Sequence, residues 1–309
     1  MTPDLMSTVT MSTTSPPATL IASDDENSGS FLGLFTLLLF ALGAGGTILN
    51  TRSLADTLVM CFSARDNPDP TIQDTVSKLM ILQTSLDLVV SASGFVVGSW
   101  LPFSTGTKYE MDPDYLLLCL RLWFTFLSVA TAAATCFVVV TRTIFLLDPG
   151  YKLNLKSLAA AISLIFVMII VTNLVLPMYS DASDNISTIH PFLELAIVIL
   201  AITLCSEISV AKLRSGEENE DTDSETRSAV ITYLITSGAF CLLYSIIAYL
   251  LLSAWIDCRE LEDDSTFAPR LTTTYILIMS VAVNSTLGPL ILFLRRKKSS
   301  VGARPIGQD

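Results

Sequence analysis

The sequence is short of the residues that most enzymes and metal proteins rely on. It holds one histidine, His190, which leaves almost nothing for a histidine base or a multi-histidine metal site. Its six cysteines, Cys61, Cys119, Cys136, Cys205, Cys241 and Cys258, form no CxxC pair, so a zinc or dithiol redox motif is not expected. No nucleophile–base constellation stands out, and an enzyme is the least favoured class. Charge is scarce too: 15% of the 309 residues are charged, against about a quarter in a soluble domain. Acids outnumber bases, giving a formal net charge of −11, which argues against a nucleic-acid partner. No Lys or Arg precedes Arg52. A signal peptide would carry a basic stretch directly before its apolar core, so the first apolar run is expected to remain as a helix.

Apolar sequence is what the chain has in excess, at 51%. Seven runs, approximately 31–51, 79–102, 115–141, 155–178, 190–211, 228–256 and 271–294, reach the length of a membrane helix, which takes about 20 apolar residues. Backbone in lipid must satisfy its own hydrogen bonds, so these runs predict helices. The expected fold class is an all-α membrane protein, a seven-transmembrane helix bundle over residues 31–294. An extracellular disordered tail, 1–30, precedes it and a short basic cytoplasmic tail, 295–309, follows.

The basic residues set the orientation. One set of connections holds Arg52, Arg65, Lys78, Arg142, Lys152, Lys156, Lys212, Arg214, Arg227 and the run from Arg295 to Lys298, while the other holds only Lys108, Arg259 and Arg270. The first set is expected in the cytosol. This gives a multi-pass protein of the cell membrane with its N-terminus outside, its C-terminus inside, and the lipid bilayer as a partner. Asn185 with Ser187 forms a glycosylation sequon in an expected outer loop at 179–189, in agreement with that orientation. A second sequon at Asn284 falls inside the seventh helix and is expected to be unused. The acidic cytosolic stretch 212–227 reads as disordered, either a plain solvated linker or a phosphorylation segment at Ser215 and Thr222. No internal repeat is visible, which counts against transporters built from duplicated halves.

A few polar residues interrupt the apolar runs. Asp87 sits near the middle of the second run. A carboxylate at that depth either bonds a neighbouring helix or lines a polar cavity. In the seventh run Pro289 removes a helical N–H and frees a carbonyl, with Asn284, Ser285 and Thr286 nearby to satisfy it. The third run ends on Thr141, Arg142 and Thr143, with Pro149 seven residues after the arginine. By itself that arginine is ordinary positive-inside chemistry.

Together these features resemble the rhodopsin-like G-protein-coupled receptors, over roughly residues 31–298. Asp87 in Ser-Leu-Asp-Leu-Val-Val is similar to the family's second-helix Leu-Ala-x-Ala-Asp-Leu. Asn284 and Ser285 followed by Gly288 and Pro289 resemble its Asn-Ser-x-x-Asn-Pro-x-x-Tyr. Arg142 followed by Pro149 resembles its Asp-Arg-Tyr arginine and second-loop proline. The departures are Thr141 and Thr143 beside the arginine, Gly288 and Leu292 in the seventh-helix motif, and Tyr244 near the place of the sixth-helix tryptophan.

The resemblance implies a receptor that carries an extracellular signal to a heterotrimeric G protein, with Arg142, Pro149, Tyr244 and Pro289 in its switch. It implies no cofactor other than a sodium ion beside Asp87, helped by Asn284, Ser285 and Thr131. It implies an outward-facing pocket for an extracellular ligand, for which Arg121, Glu194 and Tyr275 are the candidates, although Arg121 and Glu194 pairing with each other is an equal reading. Cys119 stands where the family has a disulfide cysteine, but the outer loop 179–189 holds no partner. Either an atypical Cys119–Cys258 bridge or two free thiols would follow. Two other functions remain open. One is a receptor-like protein without signalling, such as a decoy, a scaffold or a viral homologue. The other is a transporter, which would want a polar path across the whole membrane.

Overall fold

The computed structural model describes residues 25–64, 72–104, 113–148, 155–179, 183–216, 224–260 and 267–302. These residues are almost wholly helical, with no strand among them. The helices are α1 (Asp25–Ala64), α2 (Ile72–Ser104), α3 (Pro113–Leu147), α4 (Leu155–Ile170), a π-helical turn (Val171–Val175), α5 (Leu176–Tyr179), α6 (Ser183–Gly216), α7 (Ser224–Glu260) and α8 (Phe267–Gly302). Seven segments are long and apolar enough to cross a membrane, the fourth made of α4 and the π turn. The seven-helix bundle expected from the apolar runs is the fold.

The helices overrun the apolar segments at nearly every end. Hydrocarbon thickness limits only the apolar part of a helix, and polar residues carry the same backbone ladder onward. Thus α1 begins at Asp25, inside the stretch expected to be a disordered tail. α6 begins at Ser183, so Asn185 lies on a helix and not in an outer loop. The acidic connection shrinks to 217–223, outside the described residues, because α6 runs to Gly216 and α7 starts at Ser224. The run from Arg295 to Lys298 continues α8 and is not a separate tail.

α3 forms the axis of the bundle. Over an 18-residue apolar window, 78% of α3 is buried within the protein, against 11% for the fourth span, which lies at the periphery. α3 packs against α2, α6 and α8, and the fourth crossing touches only α3 and α6 among these pairings. The core around α3 is built from Phe124, Leu127, Leu195, Tyr244, Ile247 and Ile278, all fully buried. Between lipid-bathed helices the hydrophobic effect contributes little, so close van der Waals contact and hydrogen bonds hold them. α1 and α2 show the means. A Cβ on Gly43 would collide with the Phe95 nitrogen, and one on Gly98 would lie 2.6 Å from the Phe40 nitrogen. Only glycine lets these backbones meet, and the Phe40 and Phe95 rings then pack with centroids 5.0 Å apart.

Candidate functional site

The site begins at Pro289. A residue there would ordinarily donate its N–H to the carbonyl four positions earlier, that of Ser285, and proline cannot. The neighbouring hydroxyls do not compensate. Ser285 Oγ and Thr286 Oγ1 both donate to the Ala282 carbonyl, at 3.0 and 2.8 Å. The donor comes instead from α1: Asn50 Nδ2 reaches the Ser285 carbonyl at 3.1 Å. The same amide nitrogen donates to Ser91 Oγ of α2 at 3.1 Å. Ser91 Oγ lies 3.2 Å from Ser285 Oγ and donates to the Asp87 carbonyl at 2.8 Å. α1, α2 and α8 are thus tied at one buried knot. Gly46 makes room for it, since a Cβ there would meet Ser91 Oγ at 2.6 Å and Thr286 Oγ1 at 2.7 Å.

Asp87, one turn before Ser91 on α2, is buried, as are Asn284 and Ser285 of α8, Thr131 and Thr135 of α3 and Tyr244 of α7. The Tyr244 hydroxyl faces Thr135 and Asn284, with Asp87 in electrostatic range, but is in hydrogen-bond geometry with none of them. Asp87 Oδ1, Asn284 Oδ1, Asn50 Oδ1 and the Tyr244 hydroxyl are all buried with no hydrogen-bond partner. Unmet polar atoms at this depth are costly, and several together mark a place built to hold something polar. The oxygen set suits a hard monovalent cation better than a soft metal. The Thr131 hydroxyl donates to the Leu127 carbonyl at 2.7 Å, as the Ser285 hydroxyl donates to that of Ala282, and each keeps its lone pairs.

From Asp87 a cavity of about 80 Å³ extends to Arg142, lined by α2, α3, α7 and α8 with Ser53 of α1. Its walls include Met80, Gln83, Thr135, Ser237, Gly288 and Pro289. Met80 and Asp87 are seven residues apart on α2, so the cavity is about 10 Å deep along the helix. Gln83 Nε2 donates to Thr135 Oγ1 at 3.1 Å across one wall. Gly288 matters here: a Cβ would stand 3.1 Å from the Phe240 ring, so the missing side chain is what admits that ring. Phe240 in turn stacks on Tyr244, with centroids 6.0 Å apart. At the cavity's far end Arg142 is half-buried, with Nη2 3.2 Å from Met80 Sδ. Both flanking threonines, Thr141 and Thr143, are buried. Neither can offer a carboxylate, and the Thr143 hydroxyl is spent on the Val139 carbonyl at 3.0 Å and lies 3.4 Å from Ser209 Oγ of α6.

The remaining sequence candidates disperse. Glu194 does not pair with Arg121. Its Oε1 accepts from Thr172 Oγ1 and its Oε2 from Asn173 Nδ2, each at 2.7 Å, so it faces the fourth crossing. Tyr275 packs its ring on Phe35 of α1, with centroids 4.4 Å apart. Arg121 is buried on α3. Glu194 therefore faces the fourth crossing, and Tyr275 faces α1. Cys119 is a free, half-buried thiol. The side chains of Cys258 and Asn185, and all of Pro149, lie outside the described residues.

Sequence reasoning missed Asn50, Ser91 and the Thr172–Asn173–Glu194 cluster. An Asn at the end of the first apolar run, 31–51, was the available signal for the first. It also scattered Cys136, Cys205 and Cys241, which α3, α6 and α7 bring to one apolar patch around Val139 and Ile202. No metal-binding group of His, Cys, Asp or Glu occurs among the described residues. No protein-family model matches the chain, and no curated protein matches it.

Proposed function

We propose that the protein is a divergent receptor of the rhodopsin-like G-protein-coupled kind. Its N-terminus lies outside the cell membrane, and it passes an extracellular signal to a heterotrimeric G protein at the Arg142 end of the bundle. The observation that carries this reading is the Asn50–Ser91–Ser285 knot at Pro289, continued by a cavity that runs from Asp87 to Arg142. A polar core beside a proline-interrupted helix can serve as an element with two arrangements. A ligand that binds one arrangement better shifts the population toward it. Movement of α7 about the Phe240–Tyr244 stack would widen the cavity and let a G-protein segment reach Arg142. A sodium ion held by Asp87, Asn284 and Ser285 would favour the closed arrangement by filling the unmet oxygens.

With Arg142 as the proposed coupling contact, the expected readout is basal signalling without added ligand. The test is second-messenger output from cells displaying the wild type or Arg142→Ala at equal surface density. Wild-type output above mock cells, lost in the variant, supports the reading. Equal output from both removes Arg142 from the coupling contact. A silent wild type at full surface density would favour the second reading, a receptor-like protein without signalling, which the threonines flanking Arg142 and the Gly288 replacement also suit.

A further inference from the structure

The fourth crossing carries a second polar site, separate from the Asp87 knot. Between α4 and α5 the chain makes a π-helical turn, Val171–Val175, in which the Leu176 N–H bonds back to the Val171 carbonyl. Pro177 follows within α5. An α-type bond from position 177 would serve the Asn173 carbonyl and a π-type bond the Thr172 carbonyl, and proline makes neither. Turns of this kind gather at functional sites. Here the turn presents Thr172 and Asn173 to Glu194 of α6, whose two carboxylate oxygens take one hydrogen bond each, at 2.7 Å.

The cluster is rich in acceptors. Asn173 Nδ2 is shared among Glu194 Oε2, Thr172 Oγ1 and the Ile169 carbonyl, at 2.7, 3.0 and 3.0 Å. Asn173 itself is 2% exposed, and its Oδ1 has no donor. Among the described residues the donors to Glu194 are Thr172 and Asn173, both neutral, and neither brings positive charge to its carboxylate. A carboxylate within a membrane span without a counter-charge is costly and marks a functional site by default. The missing component is a group with several N–H donors and a positive charge.

Position adds to this. Glu194 is five residues into a span that starts at Ile189, and Thr172 is three residues from the end of the fourth span at Val175. Both lie within about 8 Å of the span ends by helical rise, near headgroup depth. Glu194 is itself partly exposed. Val171 and Val175 on one side and Leu193 and Ile197 on the other are exposed on the lipid-facing surface. Ser209 of α6 meets Thr143 beside Arg142, and Glu194 is fifteen residues earlier, so the site is at the opposite end of the bundle from Arg142.

We propose that Glu194, Asn173 and Thr172 form a binding site for a protonated primary amine, entered from the bilayer between the fourth crossing and α6. The ammonium donates to Glu194 and to the unmet Asn173 Oδ1, and its charge meets that of the carboxylate. The source is either an ethanolamine headgroup of a lipid or a soluble amine.

The site is testable without any signalling readout, so it stands or falls separately from G-protein coupling. The full-length protein is purified into nanodiscs of phosphatidylcholine with a graded fraction of phosphatidylethanolamine, and retained lipid is counted by native mass spectrometry. A second arm adds n-butylamine or its trimethylammonium analogue to phosphatidylcholine nanodiscs and follows thermal unfolding. The wild type is expected to prefer the primary over the trimethylated amine, in one arm or both, by about tenfold, the scale of a charge-assisted hydrogen bond. Preference in the first arm assigns the lipid and in the second alone the soluble amine. Glu194→Gln and Asn173→Leu are each expected to abolish the preference. Either losing variant suffices if the other does not fold. Equal retention of both headgroups and equal response to both amines by the wild type overturns the proposal, as does an unchanged preference in Glu194→Gln.

Discussion

Replacing Asn50 with leucine should destabilise the bundle, and the loss should depend on Pro289. The shape of the side chain is nearly kept, while its two buried hydrogen bonds at 3.1 Å, to Ser91 Oγ and to the Ser285 carbonyl, are removed. Hydrogen bonds between membrane helices average about 0.6 kcal/mol each. The larger part comes from the Ser285 carbonyl, which Pro289 has already deprived of its helical donor. Leaving a buried carbonyl unmet costs about 1–3 kcal/mol. The expected total is about 2 kcal/mol. In a Pro289→Ala background the main chain regains an N–H at position 289, which can serve Ser285, and Asn50→Leu should then cost about 1–2 kcal/mol less. The assay is a double-mutant cycle by reversible unfolding in mixed micelles, following helix content. Independent sites add within about 0.3–0.5 kcal/mol. Additivity at that level would refute the claim that Asn50 substitutes for the donor Pro289 lacks.

Further outcomes follow from the same contacts. Gly43→Leu should prevent α1 from seating on α2, because its Cβ alone would collide with the Phe95 nitrogen; the check is recovery of monodisperse protein, expected to collapse, with Gly45→Leu, where a Cβ meets nothing within 4 Å, as the tolerant control. If Asp87, Asn284 and Ser285 hold sodium, the wild type should unfold at a higher temperature in sodium chloride than in choline chloride at equal ionic strength. Asp87→Asn should erase that difference, and a sodium effect unchanged in the variant would move the ion elsewhere. Gly288→Val should displace the Phe240 ring, 3.1 Å from the new Cβ, and costs about 1–3 kcal/mol as overpacking in the same unfolding assay. Asn185→Gln should sharpen and speed the band of protein made in glycosylating cells, and an unchanged band would leave the outward placement of that helix end without its sequon.

The seven crossings were legible because lipid imposes a minimum apolar length on every one of them. Asp87 was legible for the converse reason, that a carboxylate is conspicuous in such a run. The ends were not legible, since nothing stops a helix where the hydrocarbon stops, and α1 and α8 simply continue. Asn50 escaped because its partner is a backbone carbonyl 235 residues away, freed by a proline whose own neighbours looked able to serve it. Glu194 was visible as a polar residue but not in its direction: the π turn and Pro177 present Thr172 and Asn173 to it, and apolar periodicity carries no trace of that rotation. The ring contact of Tyr275 with Phe35 was likewise not legible, since it depends on how α1 packs against α8.

Coupling at the Arg142 end is tested most directly by nucleotide exchange. The purified protein in nanodiscs is mixed with one heterotrimeric G protein of each main class, and release of labelled GDP is timed. The wild type is expected to speed release from at least one class without added ligand, and Arg142→Ala, folded to the same stability, to reduce that rate at least tenfold. Release at the empty-nanodisc rate from every class, or an equal acceleration by Arg142→Ala, would contradict it.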